Sequence, residues 1–107
     1  MRLAAESLHS PHLLDVEYLH AVRSLVRRSE IDVPRAHAAI EDFGRLDIVR
    51  YPHGPLRSRM WELRDNLSAY DASYAALAEA LAMPLLTSDA RIAATPGVRA
   101  EVRVLGD

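Results

Sequence analysis

Apolar and polar positions alternate along the chain with two different periods, and the changes of period mark the elements. From Leu13 to Arg28 the apolar residues fall at 14, 18, 21, 22 and 25, the spacing of one helical face. A second helical segment follows in "SEIDVPRAHAAIEDFGRLD", with Asp32 placed as N-cap, Pro34 in the first turn and Gly44 near the end. "DIVRY" (47–51) is a β-branched run and predicts a strand, and "PHGP" after it predicts a turn. Leu56 to Arg64 returns to the helical period and carries Met60, Trp61 and Leu63. "DNLS" breaks it, and Ala69 to Ala82 is the next helix. Pro84–Thr87 predicts a short strand, Asp89–Ala94 a helical turn, and Val98–Leu105 a last strand. The alternation of Val102 and Val104 with charged residues marks that strand as an exposed edge. Upstream, "SLHSPH" is a short extended segment closed by Pro11, and Met1–Ser7 reads as the tail of a helix through Leu3, Ala4, Ala5 and Glu6.

Strands that alternate with helices imply a mainly parallel sheet covered by helices. Three strands and the fragment at Leu8 are few for such a sheet. The expectation is therefore one domain over residues 1–107 whose leading strand is not among these residues.

Composition narrows the function classes. Half of the 107 residues are apolar, enough for a folded core. The net charge of -2 gives no long-range attraction to nucleic acid, so RNA binding would need a local basic patch. Cysteine is absent, which removes disulfides, thiolate metal sites and a Cys nucleophile. No apolar run approaches the ~20 residues of a membrane span, and the N-terminus lacks a signal-peptide core. All basic residues are arginine, a mark of GC-rich coding.

The acids carry the candidate chemistry. Glu17 has Leu13, Leu14, His20 and Ala21 as helical neighbours and so lies at the edge of the buried stripe, while Asp15 turns away from it. Asp71 sits three residues after Ser68 in "SAYD", a capping-box spacing, above a face of Tyr74, Ala75, Ala78 and Ala82. Asp89 follows strand 84–87 by two residues. Neither Asp71 nor Asp89 has an obvious ion-pair partner beside it in the sequence. Capping accounts for either aspartate alone. Ligand sites in open α/β folds, however, gather beyond the C-terminal strand ends, where all three acids are expected. Crowded carboxylates repel, and Mg²⁺ or Mn²⁺ relieves this with hard oxygen ligands.

Two stretches and the terminal "VRVL" then resemble one family. "HSPHLLDVEYLHAVRSLVRRSEI" and "IVRYPHGPLRSRMWELRDNLSAYDASYAALAEALAMPLLTSDARI" are similar to the PIN-domain toxins of the VapC type, over essentially the whole chain. The resemblance implies an α/β/α three-layer sandwich with a central parallel sheet. It also implies a Mg²⁺- or Mn²⁺-dependent endoribonuclease in the bacterial cytoplasm, inhibited by a VapB-type antitoxin and forming a homodimer. By motif Glu17 is the acid of "LLDVE", Asp71 that of "YDASYAALAEA" and Asp89 that of "TSDAR". Thr87 matches the family's hydroxyl residue two before the last acid. The family's first strand, of the type "VVDAS" with a fourth acid, has no counterpart here.

The alternative is a non-catalytic PIN module that binds antitoxin or dimerises. A zinc site from His9, His12 and His20 fits no common spacing. Of the arginines at 23, 27, 28, 57, 59, 64 and 91, most read as a solvated face, and Arg91 is the one expected to approach an RNA phosphate. Trp61 and Tyr70 read as core residues because each lies in an apolar helical pattern.

Overall fold

A computed structural model describes residues 8–106, so the helix tail expected over Met1–Ser7 lies outside the described residues. The described chain forms two compact units, one running to Tyr51 and the other beginning at Pro52.

In the first unit, strand β1 (Leu8–Pro11) runs parallel to β2 (Ile48–Tyr51), with Leu8 opposite Ile48 and Pro11 opposite Tyr51. Parallel pairing needs a crossover, and helices α1 (Leu13–Arg27) and α2 (Val33–Gly44) supply it. The extended segment expected around Leu8 is thus a true strand. Tyr18 of α1 stacks on Phe43 of α2 with centroids 3.9 Å apart, and its hydroxyl donates to the Ala39 carbonyl. This contact sets the two helices side by side. Asp32 caps α2 as expected, with its carboxylate accepting from the Arg35 N–H at 2.9 Å. Asp32→Ala is expected to cost about 1 kcal/mol, read as a lower denaturant midpoint with an unchanged slope.

Asp15 turns away from the buried stripe and finds a partner the sequence did not show. Both its oxygens are held by the Arg50 fork, at 2.7 and 2.8 Å. The Arg50 hydrogen bonds hold its carboxyl below the usual carboxylate range, against a smaller opposing effect of burial. Glu17, expected at the burial boundary, is exposed instead.

The second unit is built around one helix. After a 3-10 turn at Gly54–Leu56 come α3 (Arg57–Glu62) and α4 (Ala69–Leu81). Strands β3 (Leu85–Thr87) and β4 (Val102–Val104) pair in parallel, Leu85 opposite Val102 and Thr87 opposite Val104. Leu63, Ala72, Ala75, Ala78, Leu85 and Ile92 form the core, with Met60, Tyr74 and Val98 packed against it. Burial of Ala72, Ser73, Ala75, Ala76, Leu77 and Ala78 leaves α4 covered almost all round. Small side chains permit this, because neighbouring backbones can approach closely.

The half-buried pair Arg59–Glu79 ties these parts together. Arg59 Nε donates to Glu79 Oε1 at 2.7 Å, and the other Glu79 oxygen accepts from the Arg99 N–H at 2.8 Å. Arg59 also donates to the carbonyl of Gly97, a residue at φ +89° where a side chain would be strained. α3, α4 and the segment entering β4 are therefore fastened through one carboxylate. Arg59 is a structural residue, and the solvated or RNA-facing role open to it from sequence is corrected.

Trp61 and Tyr70 are not core residues: they are 67% and 63% exposed. α3 turns Met60 and Leu63 inward, and a position between them on a helix points elsewhere. The Arg64 guanidinium lies over the Trp61 ring, 4.5 Å from its centroid.

Candidate functional site

The site in the second unit begins with two caps. Ser68 is extended, and its Oγ accepts from the Asp71 N–H at 3.1 Å. Capping consumes the backbone of Asp71 and leaves its carboxylate exposed in the first turn of α4. Ala72 and Ala75, both fully buried, fix the helix beneath it. The expected cap and an available carboxylate therefore coexist at one residue.

Asp89 lies just past the C-terminal end of β3. The Thr87 hydroxyl accepts from its N–H at 3.0 Å, which fixes the backbone where the strand ends. Asp89 then caps the 3-10 helix Ala90–Ala94, its Oδ1 accepting from the Arg91 N–H. Buried Ile92 anchors that turn to the core.

The expectation that Asp89 has no ion-pair partner is corrected. Arg91, two residues on, grips both carboxylate oxygens: Nε to Oδ1 at 3.0 Å and a terminal nitrogen to Oδ2 at 2.8 Å. These side-chain bonds, then the backbone N–H of Arg91, pull the Asp89 carboxyl down to about 2 against burial. Arg91 is raised in turn, first by its bonds to Asp89, with the charge of Asp71 adding to them. A residue expected at an RNA phosphate is here turned onto an acid.

Glu17 belongs to the first unit, on the exposed side of α1. Among the described residues, no three His, Asp or Glu side chains stand together closely enough to hold a metal ion. Asp71, exposed in the first turn of α4, and Asp89, past the end of β3, each offer carboxylate oxygens, and Asp89 holds the Arg91 guanidinium. That chemistry fits Mg²⁺ or Mn²⁺ better than zinc. His9, one of the zinc candidates, pairs through Nδ1 with the Tyr51 hydroxyl at 2.8 Å.

Sequence reading missed Asp15–Arg50 and Arg59–Glu79. The available signals were weak: an arginine inside the apolar run "IVRY", and a glutamate on an alanine-rich helix.

Residues 2–98 match the model of the PIN domain. The chain is 44% identical over 103 residues to Ribonuclease VapC9 of Mycobacterium tuberculosis, covering 96% of this chain and 81% of that protein. It is 47% identical over 105 residues to Ribonuclease VapC1 of the same species, covering 96% and 79%. Ribonuclease VapC12, also from that species, is 36% identical over 104 residues, covering 97% and 81%. The chain belongs to the VapC group of PIN-domain proteins. This membership agrees with an α/β fold of parallel strands. Within a PIN domain, Asp71, Thr87 and Asp89 stand on successive elements of the second unit, α4, β3 and the turn after β3.

Proposed function

We propose that this chain is the toxin of a toxin–antitoxin pair, an endoribonuclease that needs Mg²⁺ or Mn²⁺. The observation that carries this is Asp89 fixed just past the C-terminal end of β3 by the Thr87 hydroxyl, with an exposed carboxylate at Asp71 in the first turn of α4, in a chain 44–47% identical to VapC ribonucleases. Asp71 and Asp89 are the residues of the second unit that would hold the ion. When bound, such an ion lowers the pKa of a water and offsets charge on a phosphodiester. Thr87 fixes the Asp89 backbone, so the carboxylate does not wander. Arg91 is the side chain for an RNA phosphate.

The partners in this reading are RNA, a VapB-type antitoxin and a second copy of the chain, in the bacterial cytoplasm. Among the described residues no helix is long and apolar enough to cross a membrane. α1 and α2 border an apolar groove of about 340 Å³ lined by Leu19, Val22, Val26, Val33, Ala36 and Ile40. That groove, with Leu19 and Val33 half exposed, suits a helical segment of an antitoxin.

The test is cleavage of single-stranded RNA with millimolar Mn²⁺ and with EDTA. Cleavage in metal and its loss in EDTA are expected. Melting should rise with Mn²⁺, by about 2.7 kcal/mol of added stability at a hundredfold excess over the dissociation constant. A folded chain that cleaves no RNA in metal, yet still captures antitoxin, would establish the binding module instead.

A further inference from the structure

The Arg91 fork bonds to both oxygens of Asp89. The bonds from Arg91 take most of the roughly four lone-pair positions of that carboxylate, so an incoming ion competes with the guanidinium for its oxygens. Arg91 is itself mostly exposed, with 89% of its side chain accessible, so nothing packed around it prevents it from leaving. Its backbone N–H bonds to Asp89 Oδ1 independently of the guanidinium, so the turn keeps its cap when the side chain departs.

From this we propose that Arg91 is a built-in counter-cation which a divalent ion must displace from Asp89. The proposal rests on the metal site argued above and adds a regulation of it. Metal occupancy and the freedom of Arg91 become two sides of one exchange. The fork lies on Asp89 when the ion is absent. It is released toward solvent when the ion is present. Binding linkage then requires that a phosphate held by the released Arg91 also tighten the metal.

Three observations support the exchange. The pair spans only two residues, so it forms without help from distant elements. An exposed pair of this kind is weak, which makes displacement by a doubly charged ion reasonable. The fork geometry matches a carboxylate and a phosphate equally well, so the same side chain serves either partner.

The experiment is Mn²⁺ titration of the full chain, read by the electron paramagnetic resonance signal of free Mn²⁺, with no RNA present. Parent, Arg91→Gln, Arg91→Lys and Asp89→Asn are compared. Arg91→Gln should bind Mn²⁺ about five- to tenfold more tightly than the parent. Arg91→Lys, which keeps the charge and loses the fork, should fall between them. Asp89→Asn should bind more weakly than the parent. Circular dichroism checks that each variant is folded. Should Arg91→Gln not fold, the Arg91→Lys comparison decides. Equal or weaker binding by Arg91→Gln, with Asp89→Asn still weakened, overturns the exchange and leaves the metal site standing. Unchanged binding in Asp89→Asn removes the metal site at Asp89 and the exchange with it.

Discussion

Asp89→Asn should lower metal-dependent RNA cleavage by about 100-fold or more while leaving the fold almost untouched. Misplacing a reacting group by about an ångström costs about 100-fold, and losing a charged ligand does at least as much. The structural cost is small for a definite reason. Asn keeps an oxygen at the Oδ1 position, where the Arg91 N–H is capped, and asparagine is as good an N-cap as aspartate. Asp71→Asn should behave likewise, because the Ser68 cap uses the backbone N–H of Asp71 and not its side chain. Glu17→Gln changes an exposed residue and should also leave folding intact. Initial rates at saturating Mn²⁺, beside melting curves for each variant, test this. Full activity in either aspartate variant would refute the assignment of that residue.

Glu79→Ala is expected to destabilise the fold by about 2–3 kcal/mol. Removing one partner of a well-buried ion pair typically costs 3–5 kcal/mol, because the other charge is left unpaired. The value is smaller here because Arg59 keeps Glu62 at 3.1 Å and the Gly97 carbonyl. The melting temperature should fall by about 10 °C or more. Burial pushes the Glu79 carboxyl up, but the Arg59 and Arg99 hydrogen bonds outweigh it and hold the group below its ordinary 4.5. Its stabilisation is therefore complete above pH 4.5 and is lost as the pH falls through the depressed folded value. Glu79→Gln should flatten that acid limb in a pH series of melts. An unchanged limb would show that other carboxylates set it.

Local chemistry made much of the fold legible. Asp32, Ser68 and the β-branched "IVRY" each specify an element by a short-range mechanism, and each element is found. The run to Leu105 was legible as a strand but not in length, since β4 proper spans only Val102–Val104. Trp61 and Tyr70 were misread because an apolar residue in a helical pattern has a face only once the partner of that helix is known. α3 is six residues long, and Met60 within it and Leu63 at its C-cap face the core, which leaves Trp61 outside. The partner of Asp15 went unread for the same reason. Its partner Arg50 lies 35 residues away, and only the pairing of β2 with β1 brings that arginine to α1. At the site, Asp71, Thr87 and Asp89 stood out by motif. The grip of Arg91 on Asp89 did not, because a two-residue spacing implies no particular side-chain geometry.

The alanine-rich build of α4 has a consequence for how this chain can change over time. In an ordinary core a lost methylene at one position can be refilled from a neighbour, so volume migrates as sequences drift. At Ala72, Ala75 and Ala76 the side chain is a single methyl group with almost no exposed surface. Nothing there can be traded, since a larger residue has no room and glycine weakens the helix by about 1 kcal/mol. The helix that presents Asp71 is thus held to one calibre.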